Sequence, residues 1–415
     1  MEHDVLLTND AVIFGILMVM LAVIFKTASL KNTFWEKFYK VIPVILLCYF
    51  LPSLLNTFGV VDAEESRVYY VASRYLLPAC LVLLTISIDL NEIIKLGPKA
   101  LIMFFTATVG VIIGGPLAIL ITSYINPDLV GGAGTDELWR GMTTIAGSWI
   151  GGGANQAAMF ELFEPSADLF SVSITVDVIV AEIWMAALLL GIGRNDSINN
   201  FFKADNTGVE NLKNKMEAYS LSIAKIPSVV DLMMILGIGF GITGFAHLMA
   251  DGIAPFIANN APELKKFSLD SNFFWIIVIA TTIGIILSFT KLRKLEGAGA
   301  SKIGTVFIFI LVASIGMKMD VMAIFENPGF FLVGLIWMAI HVTLLIIMAK
   351  IVKAPYFFLA VGSKANIGGA ASAPVLAAAF HPSLAPVGVL LAVLGYALGT
   401  YGAYLCGILM QLASQ

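Results

Sequence analysis

Two short segments rich in glycine, serine and asparagine, one in each half of the chain, most constrain what this sequence can fold into. The segments are GSWIGGGANQAAM at 147–159 and GSKANIGGAASAP at 362–374. Each begins Gly-Ser, passes through a glycine cluster, contains one asparagine and is soon followed by Phe-x-Pro-Ser. Both lie in sequence hydrophobic enough for membrane depth, where irregular backbone is tolerated only if it is buried in protein or lines a polar cavity. A matched pair of such segments is typical of the substrate site of a secondary transporter.

The composition indicates a polytopic membrane protein. Of 415 residues, 59% are hydrophobic and 13% are charged, whereas soluble domains carry about 25% charged residues. The net charge of -4 comes without a basic cluster, which argues against nucleic-acid binding. The N-terminus, MEHDVLLTND, lacks the basic region of a signal peptide. We therefore expect the first hydrophobic segment to stay as a membrane helix.

Stretches of about 20 apolar residues predict spanning helices. The glycine-rich segments, at 139–160 and 356–378, either cross the membrane or enter it and return. With the N-terminus outside and both segments re-entrant, most Lys and Arg residues of the loops lie inside, as in other membrane proteins. We therefore expect re-entrant hairpins and both termini outside, in a bacterial inner membrane. The ten predicted spans are 10–26, 41–60, 69–88, 99–124, 168–193, 227–250, 272–290, 303–318, 329–350 and 384–412.

This topology predicts an all-α fold of two inverted-topology repeats. Each half contains five spans and one hairpin, and because five is odd the second half enters the membrane upside down. The first repeat is residues 1–193, a polar cytoplasmic linker follows at 194–226, and the second repeat is residues 227–415. Asp89 in the first repeat matches Asp320 in the second, and both are expected to cap short helices.

The two hairpin tips form the first candidate site. Glycine runs stabilise helix poorly, so we expect the helices to break at Gly151, Gly152 and Gly153 and again at Gly368 and Gly369. A broken helix offers N–H groups that attract a carboxylate and C=O groups that can coordinate sodium. The alternative is that small residues only let helices pack closely, but two matched motifs favour binding. The side chains suited to both tasks are Ser148, Asn155, Gln156, Ser363, Asn366 and Ser372.

Acids within one predicted span form a second candidate site. Asp177 and Glu182 are the charged residues of the span at 171–190, and acids in the bilayer usually face a cavity or a partner. Ser173 lies four residues before Asp177 and shares its helix face. We therefore assign Asp177 and Ser173, with the two tip asparagines, to an ion site, and Glu182 to a proton or charge relay. The alternative for Asp177 is a structural pairing with a buried lysine or a backbone donor.

Lys364 and His341 are further candidates for a charge or proton relay. Lys364 lies inside the second motif, where it can pair with a substrate carboxylate or an acid, or extend to the cytoplasmic face. His341 lies in an otherwise apolar span. There it can relay protons or act as a hydrogen-bonded packing residue, and the sequence leaves both alternatives open.

The two glycine motifs, together with ISIDL near residue 88, resemble an uncharacterised membrane family, domain-of-unknown-function family 819, over nearly the whole chain. The chain is more distantly similar to the sodium/glutamate symporter and 2-hydroxycarboxylate symporter families. These resemblances imply two inverted five-helix repeats with tips that meet near the midplane, a homodimer, and sodium-coupled uptake of small carboxylates. The matching positions are Ser148, Gly151, Gly152, Gly153, Asn155, Ser363, Asn366, Gly368 and Gly369.

The sequence therefore predicts an ion-coupled secondary transporter of a small organic anion, such as an amino, keto or hydroxy acid. Sodium is the expected coupling ion, no other cofactor is expected, and the expected partners are the bilayer, the carboxylate and a second copy of the chain. The alternative is a cation/proton antiporter in which Asp177 exchanges a proton for sodium. An enzyme is not expected, because the sequence lacks His-Glu-x-x-His, Gly-x-Gly-Asp and Gly-x-Ser-x-Gly motifs.

Overall fold

The computed structural model describes residues 6–415 except 43, 63–65, 128–129, 205–207, 211, 213–225, 268 and 319–328. Within these residues the chain forms helices joined by short connections, and no β-strand. The helices of the first half are α1 (Asp10–Ala28), α2 (Thr33–Val41), α3 (Val44–Thr57), α4 (Val68–Ile86), α5 (Leu90–Lys95), α6 (Pro98–Ile125), α7 (Leu138–Gly151), α8 (Gly153–Phe163), α9 (Ala167–Ile192) and α10 (Asn195–Phe202). Those of the second half are α11 (Val229–Asn260), α12 (Asn272–Ser288), α13 (Ala300–Gly316), α14 (Gly329–Val352), α15 (Tyr356–Asn366), α16 (Gly369–Phe380) and α17 (Ala385–Ala413).

Membrane-length helices coincide with most of the predicted spans. Seven helices of the described chain are long and apolar enough to cross a membrane: α1, α4, α6, α9, α11, α14, and the span Pro382–Ala413 that contains α17. The other three predicted spans coincide with the shorter helices α3, α12 and α13, of 14, 17 and 17 residues. The prediction of an all-α polytopic membrane protein is confirmed at this level. The inverted orientation of the two repeats stays a prediction.

The membrane helices pack into two groups. A core bundle consists of α6 to α9 and α14 to α17, in which α7 packs along α17, α6 along α14, and α15 against α6 and α17. An outer bundle consists of α1, α3, α4 and α11 to α13, in which α4 packs against α12 and α13, and α11 against α12. Each half of the chain therefore contributes its first three membrane helices to the outer bundle and its later helices to the core bundle.

Helix α17 lies at the centre of the core bundle. In the span Pro382–Ala413, 72% of the most apolar window is buried. A Cβ atom on Gly399 would lie 2.7 Å from the Cα of Gly151, and one on Gly388 would lie 2.5 Å from the carbonyl of Ala373. Because small residues let helix backbones approach closely, these glycines allow both hairpins to pack directly on α17.

The two glycine segments form helical hairpins. α7 ends at Gly151, and the next residue, Gly152, has a φ of +73°. α8 folds back so that a Cβ on Gly147 would lie 2.5 Å from the carbonyl oxygen of Asn155. α15 ends at Asn366, and the turn to α16 passes through Gly368 and Gly369 with φ values of +103° and +54°. Glycine adopts positive φ without steric penalty, so both breaks fall within the predicted glycine clusters. Re-entry of the hairpins into the membrane stays a prediction.

The predicted linker at 194–226 is described only in part. Its first segment forms α10, which packs against α14 and α15, and the backbone N–H of Tyr356 donates a 2.8 Å hydrogen bond to the Asn199 side chain. The start of the linker is therefore anchored to the first residue of the second hairpin. Asp89 caps α5 as predicted, accepting a hydrogen bond from the N–H of Glu92. Asp320, its predicted counterpart, lies outside the described residues.

Candidate functional site

The tips of both hairpins line one cavity. Its volume is about 240 Å³, and its walls include Gly152 and Gly153 from the first hairpin and Gly368 and Gly369 from the second. The ring of Tyr396 lies between them: its Cε1 atom would be 3.4 Å from a Cβ on Gly152 and 3.7 Å from one on Gly369. Gly152 and Gly369, which are 217 residues apart in the sequence (369 − 152), therefore contact the same aromatic ring.

The N-termini of two helices are exposed to this cavity. α8 begins after Gly152 and α16 after Gly368, and neither N-cap residue supplies a side-chain hydrogen bond to its helix. The first N–H groups of a helix have no partner within the helix, and together with the helix dipole they favour an anion. The tips therefore present backbone N–H donors at turns whose positive φ values favour glycine.

Asp177 is the best-coordinated acid at the cavity. Its carboxylate is 5% exposed and accepts hydrogen bonds of 2.7 Å from Trp149 Nε1 and 3.0 Å from Gln156 Nε2. The Ser148 hydroxyl is a further hydrogen-bond partner. The amide oxygen of Gln156 in turn accepts a 3.2 Å hydrogen bond from the Tyr49 hydroxyl. Donors of the first hairpin thus hold a carboxylate of α9 against the first tip.

Lys364 is buried at the opposite tip. The residue is 1% exposed, and its Nζ donates a 3.2 Å hydrogen bond to the carbonyl oxygen of Ala181 on α9. The side chain therefore does not extend to the protein surface, as the alternative sequence interpretation required. Its charge interacts with Glu182 and Asp177, which flank Ala181 along α9. Lys364 and the two acids consequently form a cluster of ionisable side chains around one cavity.

The two tip asparagines do not line the cavity. Asn155 Nδ2 donates to the carbonyl oxygens of Gly151 and Tyr396, at 3.0 and 3.3 Å, and Asn155 Oδ1 accepts a 2.7 Å hydrogen bond from Thr400. Asn366 Nδ2 donates to the carbonyl oxygens of Gly362 and Phe104, at 3.0 and 3.2 Å, and its Oδ1 accepts a 2.8 Å hydrogen bond from Thr108. Both side chains are fully buried. In this conformation each asparagine ties a hairpin to a neighbouring span.

Several other predicted site residues also lie behind the cavity wall. Ser363 accepts a hydrogen bond from Trp184 Nε1 at 2.9 Å and bonds to His341 Nε2 at 2.8 Å. Ser173 donates to the carbonyl oxygen of its own helix at Leu169. The Ser372 hydroxyl is buried and has no hydrogen-bond partner within the described residues. The predicted residues that do line the cavity are Ser148, Gly152, Gly153, Gln156, Asp177, Glu182, Lys364, Gly368 and Gly369.

The structure adds lining residues that the sequence did not single out. Tyr49 of α3 and Thr305, Ile308 and Phe309 of α13 come from the outer bundle, so the cavity lies where the two bundles meet. No local sequence signal marks these four positions, because only packing of the bundles brings them to the tips. Trp149, which binds Asp177, lies inside the first glycine motif, and its position between the serine and the glycines was the available signal.

Comparison with known proteins gives a family but no activity. The chain matches the family described as protein of unknown function (DUF819) over residues 15–413. It is also 25% identical, over 355 residues, to an uncharacterized membrane protein, YjcL, of Bacillus subtilis (strain 168). That alignment covers 81% of this chain and 82% of the relative.

Proposed function

The chain belongs to the family described as protein of unknown function DUF819, and on this premise we propose that it is an ion-coupled secondary transporter of a small organic anion. The observation that carries the proposal is the meeting of both glycine tips, Asp177 and Lys364 at one cavity between two bundles. Broken helices, charged side chains at membrane depth and a site between bundles are each features of secondary transporters.

The proposed roles follow from the two sides of the cavity. The substrate carboxylate binds at the hairpin tips, where helix N-termini and Lys364 favour a negative charge. Sodium binds beside Asp177, with oxygen atoms of Ser148 and Gln156 available as further ligands. Movement of the core bundle against the outer bundle then exposes the loaded cavity to each side of the membrane in turn.

The proposal also includes the inverted arrangement of the two halves, re-entrant hairpins, a homodimer and a bacterial inner membrane with both termini outside. The element order supports the repeat, since each half gives three membrane helices to the outer bundle before a span, a hairpin and a final span in the core bundle. Labelling of terminal cysteines from the outside of intact cells tests the orientation. Protection of both termini in intact cells would contradict it.

We test the function by measuring uptake into proteoliposomes under an inward sodium gradient. Radiolabelled amino, keto and hydroxy acids are offered in turn, and at least one is expected to accumulate only while the gradient lasts. Asp177→Asn removes the charge that attracts the ion, so sodium-driven uptake is expected to fall by about tenfold or more, the effect of losing about 1.4 kcal/mol of ion binding. The matched control is Asp251→Asn, because Asp251 is exposed and bonds to Asn272 on the outer bundle.

A second candidate, a cation/proton antiporter, is favoured by one observation. Glu182 lines the cavity beside Asp177 without a hydrogen bond or ion pair among the described residues. Two acids at one cavity could exchange protons for sodium without an organic solute. The same proteoliposomes, loaded with a pH-sensitive dye, distinguish the two functions. A sodium-driven pH change without added solute supports antiport, and equal inactivity toward every carboxylate would exclude the symport proposal.

A further inference from the structure

The second hairpin tip gives the cavity a positive end. Lys364 Nζ would lie 3.4 Å from a Cβ atom on Gly368, which is the N-cap of α16. The unpartnered hydroxyl of Ser372 is next to the same glycine, 2.2 Å from that Cβ position. An ammonium group, the N-terminus of α16 and a hydroxyl donor therefore converge, and all three favour a carboxylate.

Helix α9 gives the cavity a negative side. Asp177 and Glu182 both line the cavity, and Ala181 between them accepts the hydrogen bond from Lys364. The Asp177 carboxylate is already held by Trp149 and Gln156. Glu182 is an exposed residue that makes no hydrogen bond among the described residues, and its charge partner at the cavity is Lys364. Because one lysine faces two acids, a cationic group on the substrate would balance the second acid.

The rest of the cavity is small and partly apolar. Ile174 and Val178 of α9 and Ile308 and Phe309 of α13 also line it. Its volume of about 240 Å³ lies below the roughly 300–1,000 Å³ of pockets for drug-sized ligands. The cavity can therefore hold a solute of amino-acid size with a short apolar side chain.

We propose that the substrate is a small neutral α-amino acid, bound as a zwitterion with its carboxylate at the second tip and its ammonium group at Glu182. This inference rests on the proposed transporter function and narrows its substrate class. A keto or hydroxy acid has the same carboxylate but brings no cation to balance the second acid of the cavity. A dicarboxylate places a second negative charge in a cavity whose lining, within the described residues, contains Lys364 as its single cation.

The test is a binding series on purified full-length protein in sodium buffer, measured by isothermal titration calorimetry. L-valine, 2-hydroxy-3-methylbutanoate and 3-methyl-2-oxobutanoate share one carbon skeleton, isobutylamine is valine without its carboxylate, and L-aspartate is the dicarboxylate. L-valine is expected to bind at least about tenfold more tightly than each of the others, because each lacks one charge or adds an unpaired one. A hydroxy or keto acid that binds as tightly as L-valine, or L-aspartate that binds more tightly, would overturn the zwitterion assignment.

Two variants test which residue binds each charged group of the substrate. Glu182→Gln is expected to abolish the preference of L-valine over 2-hydroxy-3-methylbutanoate, whereas Lys364→Met is expected to weaken both ligands. The controls are Glu92→Gln and Lys99→Met, because both residues lie at helix ends away from the cavity. An unchanged valine preference in folded Glu182→Gln protein would remove Glu182 from the site. The wild-type series decides the substrate class even if either variant fails to fold.

The outcomes also separate this inference from the proposed function. Sodium-driven uptake of a keto or hydroxy acid without amino-acid binding would leave the transporter proposal intact and refute the zwitterion. Absence of binding by every carboxylate, together with absence of sodium-driven uptake, would refute both.

Discussion

At the scale of single residues, the two tip asparagines make the same set of hydrogen bonds. Each donates to the carbonyl oxygen four residues earlier in its own hairpin and to a carbonyl on a neighbouring span. Each also accepts a hydrogen bond from a threonine four residues beyond that carbonyl, Thr400 for Asn155 and Thr108 for Asn366. Both amide groups are therefore occupied by protein. Replacing either asparagine would therefore alter transport by shifting a hairpin tip.

This role gives a prediction that separates positioning from direct ion binding. Asn155→Ala leaves buried carbonyl and hydroxyl groups without their partner, which destabilises the fold by about 1–3 kcal/mol. The melting temperature in detergent is expected to fall by a similar amount with and without sodium. The control is Asn260→Ala, since Asn260 makes a comparable bond to Phe256 at an exposed position. Loss of sodium-induced stabilisation alone, with unchanged stability in sodium-free buffer, would instead support Asn155 as an ion ligand.

At the scale of helices, close packing of the hairpins on α17 fixes the cavity. Gly399 on α17 lies against Gly151 of α7 and the side chain of Asn155, and Gly388 lies against Ala373 of α16. The same helix supplies Tyr396, whose ring lies between the two tips. A small change in the distance between α17 and either hairpin therefore alters the cavity directly.

Gly399→Ala tests this packing. The added Cβ would lie 2.4 Å from Asn155 Nδ2 and 2.7 Å from the Cα of Gly151, so the helices must separate, at a cost of about 1–3 kcal/mol for overpacking. We expect a lower melting temperature and weaker ligand binding. Gly241→Ala is the matched control, because Gly241 lies in α11 with nothing within 4 Å of its Cβ position. Equal effects of the two substitutions would show that the contact between α7 and α17 is unimportant.

At the scale of the whole molecule, the cavity lies between two bundles that side-chain hydrogen bonds and an ion pair connect at several points. The hydroxyl of Tyr49 on α3 donates to Gln156 on α8. Arg74 on α4 forms an ion pair with Glu161, also on α8. Both connections reach the first hairpin from the outer bundle. If the bundles move against each other during transport, these contacts must break or the segments that make them must move together. Contacts within each bundle would persist.

Cross-linking tests this movement. Cysteines at positions 74 and 161, introduced as Arg74→Cys and Glu161→Cys and joined by a bifunctional methanethiosulfonate through reducible disulfide bonds, would tie the bundles together. Sodium-driven uptake is expected to fall after cross-linking and to recover on reduction. The control joins Asp89→Cys and Arg293→Cys, which replace an ion pair between the residues that follow α4 and the connection from α12 to α13. Full uptake by the cross-linked 74–161 pair would contradict movement between the bundles.

The sequence by itself determined the helical membrane class, the positions of the spans and both helix breaks. These properties depend on local composition: apolar runs must form helices in the bilayer because backbone groups have no water to bond, and glycine clusters break helices. The sequence also identified Asp177 and Lys364, because a charge within an apolar span is rare enough to stand out. It could not predict the hydrogen-bond partners of Asn155 and Asn366. The carbonyl oxygens that these side chains bind belong to Tyr396 and Phe104, which lie 241 and 262 residues away in the sequence.

Only the tertiary structure decided which polar groups face the cavity. A motif specifies residue types, but the rotation of each hairpin on α17 determines whether a side chain points to the cavity or to a neighbouring span. That rotation depends on close contacts between distant glycines, such as Gly151 with Gly399. The same packing brought Tyr49, Ile308 and Phe309 to the tips from the outer bundle. Local sequence carries no record of these contacts, because they arise from the way complementary helix surfaces fit together.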